Sequence, residues 1–134
     1  MGTYRLVCHP DTPPVAVKNI SVSLYNHPFT GFLVRWRVDG CSALVVPGYA
    51  GSGRADDLWQ TTCFEMFMQG SGEAYEEYNF SPSQRWAGYR FSSYRENRQE
   101  IDVGEGPVTE HQSGDHMFVQ TVKLPGFRLE GERL

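Results

Sequence analysis

The chain has 134 residues and a formal net charge of −4, with 12 basic residues dispersed among 16 acidic ones. The length suits one domain, which we place at residues 1–134, and the lack of a basic stripe argues against nucleic acid as a partner. Plentiful glycine, proline and aromatic residues favour strands and turns over a helical bundle.

Alternation of apolar and polar residues predicts the first strands. Ile20, Val22 and Leu24 alternate with polar residues over 19–24, and the same period of two returns over 32–38. Asp39-Gly40 is a hairpin-turn signal, so we expect the chain to pass directly into a strand over 43–46. Proline and repeated glycine over 47–53 then predict a loop.

The second half of the chain is less regular. Residues 56–69 fit helical spacing as well as a strand, and we favour a strand over 62–68 because of its β-branched and aromatic content. Further strands are predicted at 75–80, 86–91, 100–103 and 117–124. Seven or eight short strands predict an all-β, antiparallel sandwich or barrel. Residues 129–134 lack a strand pattern, and we expect a frayed or truncated end there.

Cysteine content and hydropathy predict the state of the thiols and the location of the protein. Cys8, Cys41 and Cys63 are odd in number and form no CxxC pair, so we expect reduced, mostly buried thiols rather than disulfides or a zinc site. No signal peptide and no apolar run of membrane-spanning length are present, so we expect a cytoplasmic protein without a membrane partner.

Two groups of residues are candidates for ligand binding. In a strand over 62–68, Glu65 shares a face with Cys63 and Phe67, and an inward carboxylate requires a partner: an arginine, a ligand hydroxyl or a metal. We expect Arg90 to lie on the same face as Glu65, within hydrogen-bonding or salt-bridge distance of it. The second group lies over 75–95, where Trp86 and Arg90 share a strand face and would offer an indole and a guanidinium to a sugar. The full set of candidates is Trp59, Glu65, Asn79, Trp86 and Arg90.

Catalytic and metal motifs are missing from the sequence. The four histidines occur in predicted loops or near the ends, and no HExxH, GxSxG or P-loop is present. We therefore expect a binding protein and no enzyme, with no catalytic residues and no metal ligands.

Two long motifs carry a family resemblance. The run DDLWQTTCFEMF, followed by YEEYNFSPSQRWAGYRFSSYR, resembles the bacterial DOMON-like domains related to carbohydrate-binding module family 9. The resemblance extends over about residues 4–125 and implies an immunoglobulin-like or jelly-roll β-sandwich that lacks its last strands. Because a truncated sandwich exposes a strand edge, a homodimer is also expected.

The resemblance implies a sugar as the ligand. In the sugar-binding relatives a tryptophan stacks on the sugar, while a glutamate six residues later and an arginine on a later strand bond its hydroxyls; here these positions are similar to Trp59, Glu65 and Arg90. Other DOMON branches bind haem through methionine and histidine, and Met66, Met68 and Met117 are available without a well-placed histidine. We expect no cofactor, with haem or calcium and an interaction module with a vestigial cleft as the open alternatives.

Overall fold

The computed structural model describes residues 2–29, 31–101 and 106–125. These residues form ten β-strands and one short 3₁₀ helix, Leu58–Gln60, and no α-helix. They divide into two compact units, one built from the chain up to Val45 and from Val108 onward, the other from Val46 to Pro107. Each unit contains one mainly antiparallel sheet, which confirms the all-β prediction.

The sheet of the first unit has five antiparallel strands in the order β1-β2-β3-β10-β9. Their bounds are β1 Thr3–Arg5, β2 Asn19–His27, β3 Gly31–Asp39, β9 Val108–Ser113 and β10 Met117–Leu124. β3 is the central strand. Phe32, Val34, Trp36 and Val38 are at most 4% exposed, so the predicted alternation in β3 is confirmed and one face of this sheet is apolar and buried.

The sheet of the second unit has the order β4-β7-β6-β5, with β8 paired to β7. Its strands are β4 Gly53–Arg54, β5 Phe64–Gln69, β6 Tyr75–Phe80, β7 Arg85–Phe91 and β8 Gln99–Glu100. β4 runs parallel to β7, whereas the other pairs are antiparallel. The ambiguous segment 56–69 divides into the 3₁₀ helix and then β5, which begins two residues later than predicted.

One predicted strand is wrong. Residues 43–46 form no strand, and β3 does not continue into a hairpin after Asp39. The physical reason is that β2 and β10 already occupy the two hydrogen-bonding edges of β3. Gly40 turns the chain at φ 78, and its N–H donates to the carbonyl of His116 instead of to a hairpin partner.

Other sequence expectations have mixed outcomes. The sequence missed β1, β4 and β9, of which two are very short and the third is polar (Val108–Ser113). All three cysteines are free, but Cys8 is exposed and Cys41 and Cys63 are only partly buried, so the expectation of mostly buried thiols is wrong for Cys8. The predicted frayed end at 129–134 and residues 102–103 of a predicted strand lie outside the described residues.

Candidate functional site

The register of the second sheet decides which candidate residues share a face. Side chains directly opposite one another on paired strands lie on the same face, and successive residues alternate. Glu65 lies opposite Asn79, which lies opposite Ala87. Met66 lies opposite Tyr78 on the other face, and Glu76 lies opposite Arg90 there. We call these two surfaces the Glu65 face and the Arg90 face.

The Glu65 face carries three polar side chains on adjacent strands. Glu65 of β5 is exposed, and Asn79 of β6, directly opposite, is only 4% exposed. Glu77 is two residues before Asn79 on the same face. The Asn79 side-chain oxygen, Oδ1, is buried and has no hydrogen-bond partner. A buried carbonyl oxygen without a donor carries a desolvation cost, so this position favours a ligand that supplies a donor.

The electrostatics of the Glu65 face are acidic. Partial burial, followed by the charge of Glu77, raises the pKa of Glu65. Burial, with the charge of Glu65 as the next cause, raises the pKa of the Cys63 thiol to about 12. No ion pair with Glu65 occurs in the described parts of the chain. A donor-rich ligand without negative charge fits such a surface.

An apolar cluster on the same face holds the 3₁₀ helix in place. Ala87, Tyr89 and Phe91 form this cluster, and Leu58 of the helix packs against it. Trp59, the next residue, is 64% exposed. The helix therefore anchors itself through Leu58 and leaves the indole of Trp59 available to solvent, which is what a stacking platform requires.

A polar anchor fixes the chain just before the helix. The hydroxyl of Tyr89 donates to the Asp56 carboxylate at 2.5 Å, and Arg54 Nη2 donates to the same oxygen at 2.9 Å. These two hydrogen bonds, that of Arg54 first, lower the pKa of Asp56. Arg85 donates to the Ala50 carbonyl oxygen at 3.1 and 2.9 Å and so ties down the preceding loop. The chain segment that leads to Trp59 is thus fixed by several hydrogen bonds.

The structure separates Arg90 from Glu65. Arg90 Nη2 lies 3.0 Å from Glu76 Oε1, and the Tyr78 hydroxyl donates to the other oxygen of Glu76 at 2.5 Å. The expected ion pair between Glu65 and Arg90 is therefore wrong, because the register places them on opposite faces. The premise of an inward carboxylate is wrong too, since Glu65 is exposed.

Trp86 also lies on the Arg90 face, opposite Phe80. It is half-buried, and a Cβ added at Gly106 would be 3.1 Å from its ring, so the Gly106 backbone closely covers the indole. Of the five sequence candidates, Glu65 and Asn79 are thus direct neighbours, Trp59 follows the residue that packs on their face, and Trp86 and Arg90 are elsewhere.

Sequence reasoning missed the roles of Glu77, Asp56 and Tyr89. The signal for Glu77 was present, because period-two alternation in β6 places it on the face of Asn79. Asp56 and Tyr89 are 33 residues apart in sequence, and only the fold brings them together.

Comparisons with known proteins place the fold. No protein-family model matches the chain, and no curated protein matches it. A crystal structure from Bacteroides uniformis, described as a "putative carbohydrate-binding protein", superposes with a TM-score of 0.62 at 16% identity and covers 93% of this chain. The chain spans 59% of the length of that protein. At this identity the match shows a shared all-β fold.

Within residues 2–29, 31–101 and 106–125, no helix has the length and apolarity needed to cross a membrane. Within the same ranges, no group of three or more His, Cys, Asp or Glu side chains is arranged to hold a metal ion.

Proposed function

We propose that this protein binds a carbohydrate without catalysing a reaction, and that the sugar is held on the Glu65 face by Trp59, Glu65 and Asn79. The observation that carries the proposal is the buried, unpartnered Oδ1 of Asn79 directly opposite the exposed Glu65. The 3₁₀ helix that packs on this face adds an exposed indole.

The chemistry of these three groups fits a neutral or amino sugar. The Glu65 carboxylate and Asn79 Oδ1 are acceptors, and sugar hydroxyls supply the donors that they need. The indole of Trp59 offers an apolar plane to the apolar face of a pyranose ring. Because Glu65 and Glu77 make this face acidic, a uronic acid would be repelled from it.

Two comparisons support the proposal. The spacing of Trp59 and Glu65 resembles that of the stacking tryptophan and bonding glutamate in DOMON-like domains related to carbohydrate-binding module family 9. The structural neighbour from Bacteroides uniformis is described as a "putative carbohydrate-binding protein". The arginine of those relatives has no counterpart in Arg90, which is paired with Glu76 on the opposite face.

The test is titration of the purified protein with a panel of neutral and amino sugars, followed by tryptophan fluorescence and calorimetry. Glu65→Gln should weaken binding about tenfold or more, since it removes a charged acceptor. Glu73→Gln is the matched control, because Glu73 is an exposed carboxylate of the turn before β6 and should change nothing. Repeating the titration in EDTA tests whether calcium takes part.

Two results would contradict the proposal: no response to any sugar of the panel, or equal affinities for the parent and Glu65→Gln proteins. Loss of binding in both Glu65→Gln and Glu73→Gln would also count against it, because it would indicate a general charge effect.

A further inference from the structure

The exposed face of the first sheet forms a second polar surface that the proposed function does not use. It is the face of β3 opposite the buried Phe32, Val34, Trp36 and Val38, and it carries Arg35 and Arg37. We call it the Arg35 face. It is concave, with a cavity of about 1030 Å³ lined only by residues of the first unit. That volume is at the upper end of the range of ligand sites, about 300–1,000 Å³.

The register of the strands arranges cations along a path on this face. Arg35 and Arg37 are two residues apart on β3, which corresponds to about 7 Å. Lys123 of β10 is diagonal to Arg35, because Arg35 lies opposite Thr121. Diagonal neighbours are about 7–8 Å apart. Three cations therefore follow one another at spacings that let each contact a different unit of an extended ligand.

Both guanidinium groups are oriented by the protein and retain donors. Arg35 Nε donates to Thr121 Oγ1 at 3.1 Å, and Arg37 Nε donates to Asp39 Oδ1 at 3.1 Å. An arginine has five N–H donors in a planar fork. The terminal Nη groups make no hydrogen bond in the described structure, so each arginine remains able to bind a carboxylate through two parallel hydrogen bonds.

Hydroxyl groups and carboxylates surround the cations. Ser23 lies opposite Arg35 on the β2 side and Ser21 lies opposite Arg37. Asp39 and Glu110 lie on the same face and line the cavity. These two carboxylates accept hydrogen bonds from hydroxyl groups, and Asp39 forms an ion pair with Arg37. The three cations Arg35, Arg37 and Lys123 outnumber the two carboxylates in the cavity lining, so the face attracts anionic groups on balance. The mixture thus fits a ligand that carries both carboxylates and many hydroxyls.

We propose that the Arg35 face binds an extended acidic glycan, a chain that contains uronic acid residues. Arg35, Arg37 and Lys123 bind its carboxylates, while the serine and threonine hydroxyls and Asp39 bind its hydroxyl groups. This site is independent of the Glu65 face, whose acidity favours neutral or amino sugars over uronic acids. The proposal for the Arg35 face therefore does not rest on the proposed function.

The experiment measures binding of a short oligogalacturonide by calorimetry at low ionic strength. A neutral oligosaccharide of equal length and a single-stranded oligodeoxynucleotide serve as comparison ligands. The double variant Arg35→Gln/Arg37→Gln should bind the oligogalacturonide about tenfold or more weakly. The control Lys18→Gln/Arg95→Gln removes the same charge from exposed positions outside the cavity lining and should bind as the parent does.

The double variant Arg35→Lys/Arg37→Lys retains the positive charge but loses the planar guanidinium fork, so it should also weaken binding of the oligogalacturonide. It replaces the glutamine variant as the test if the glutamine variant does not fold. Trp59→Ala should leave oligogalacturonide binding intact even where it abolishes binding of neutral sugars. The proposal is overturned if the oligogalacturonide does not bind, if the oligodeoxynucleotide binds equally well, or if both charge-removing variants lose the same affinity.

Discussion

Replacement of Trp59 by alanine tests whether this side chain is a sugar-binding platform on the surface or a residue of the core. Trp59 is 64% exposed, whereas Trp36 is 4% exposed. Full burial of an aromatic side chain removes up to about 250 Å² from water, of which Trp59 buries about a third. At about 25 cal/mol per Å², the loss on Trp59→Ala is about 2 kcal/mol as an upper limit.

The matched comparison is Trp36→Ala, which removes a buried ring and should cost about 3–5 kcal/mol. For a chain of this size, 1 kcal/mol corresponds to about 4 °C in Tm. We therefore expect Trp59→Ala to lower Tm by no more than about 8 °C and to abolish the response to neutral sugars. Thermal unfolding followed by circular dichroism measures the change in Tm, and calorimetric titration measures the response to neutral sugars.

Acrylamide quenching of fluorescence measures the solvent accessibility of the Trp59 side chain independently. Because Trp36 is buried and Trp86 half-buried, most of the accessible fluorescence should come from Trp59 and disappear in Trp59→Ala. The reasoning is refuted if Trp59→Ala destabilises the protein as much as Trp36→Ala does, or if it binds sugar with the affinity of the parent.

Three further predictions concern charge, thiols and haem. Burial and the charge of Glu77 raise the pKa of Glu65. The contribution of Glu65 to stability is therefore full below its pKa in the unfolded state and is lost as pH rises through its pKa in the folded state. In urea unfolding, Glu65→Gln should be more stable than the parent at neutral pH and equal to it below about pH 4. An unchanged difference across pH would contradict this assignment. At mildly alkaline pH, iodoacetamide should alkylate the exposed Cys8 readily but leave Cys63, whose pKa burial raises to about 12, largely unmodified; peptide mass mapping measures both, and equal labelling would refute the difference. Protein purified without added haem should show no Soret absorbance, and a stoichiometric band would favour the haem-binding alternative.

Local pattern alone determined much of the strand content. The period of two in β3 predicted which side chains are buried, because successive side chains of a strand point to opposite faces whatever the strand pairs with. The bounds predicted for β6 and β10 match the structure. The same alternation correctly placed Glu65 and Phe67 on one face of β5 and Phe64 and Met66 on the other face.

Pairing and register were decided only by the tertiary structure. The hairpin signal at Asp39-Gly40 is local, but β2 and β10 occupy both edges of β3, and no local signal reports this competition. Glu65 and Arg90 belong to different strands, and their relative faces depend on how each pairs with β6, since a shift of one residue exchanges the faces. For that reason the sequence identified Glu65 and Asn79 as candidates but could not show that they are opposite each other while Arg90 is paired with Glu76 on the other side of the sheet.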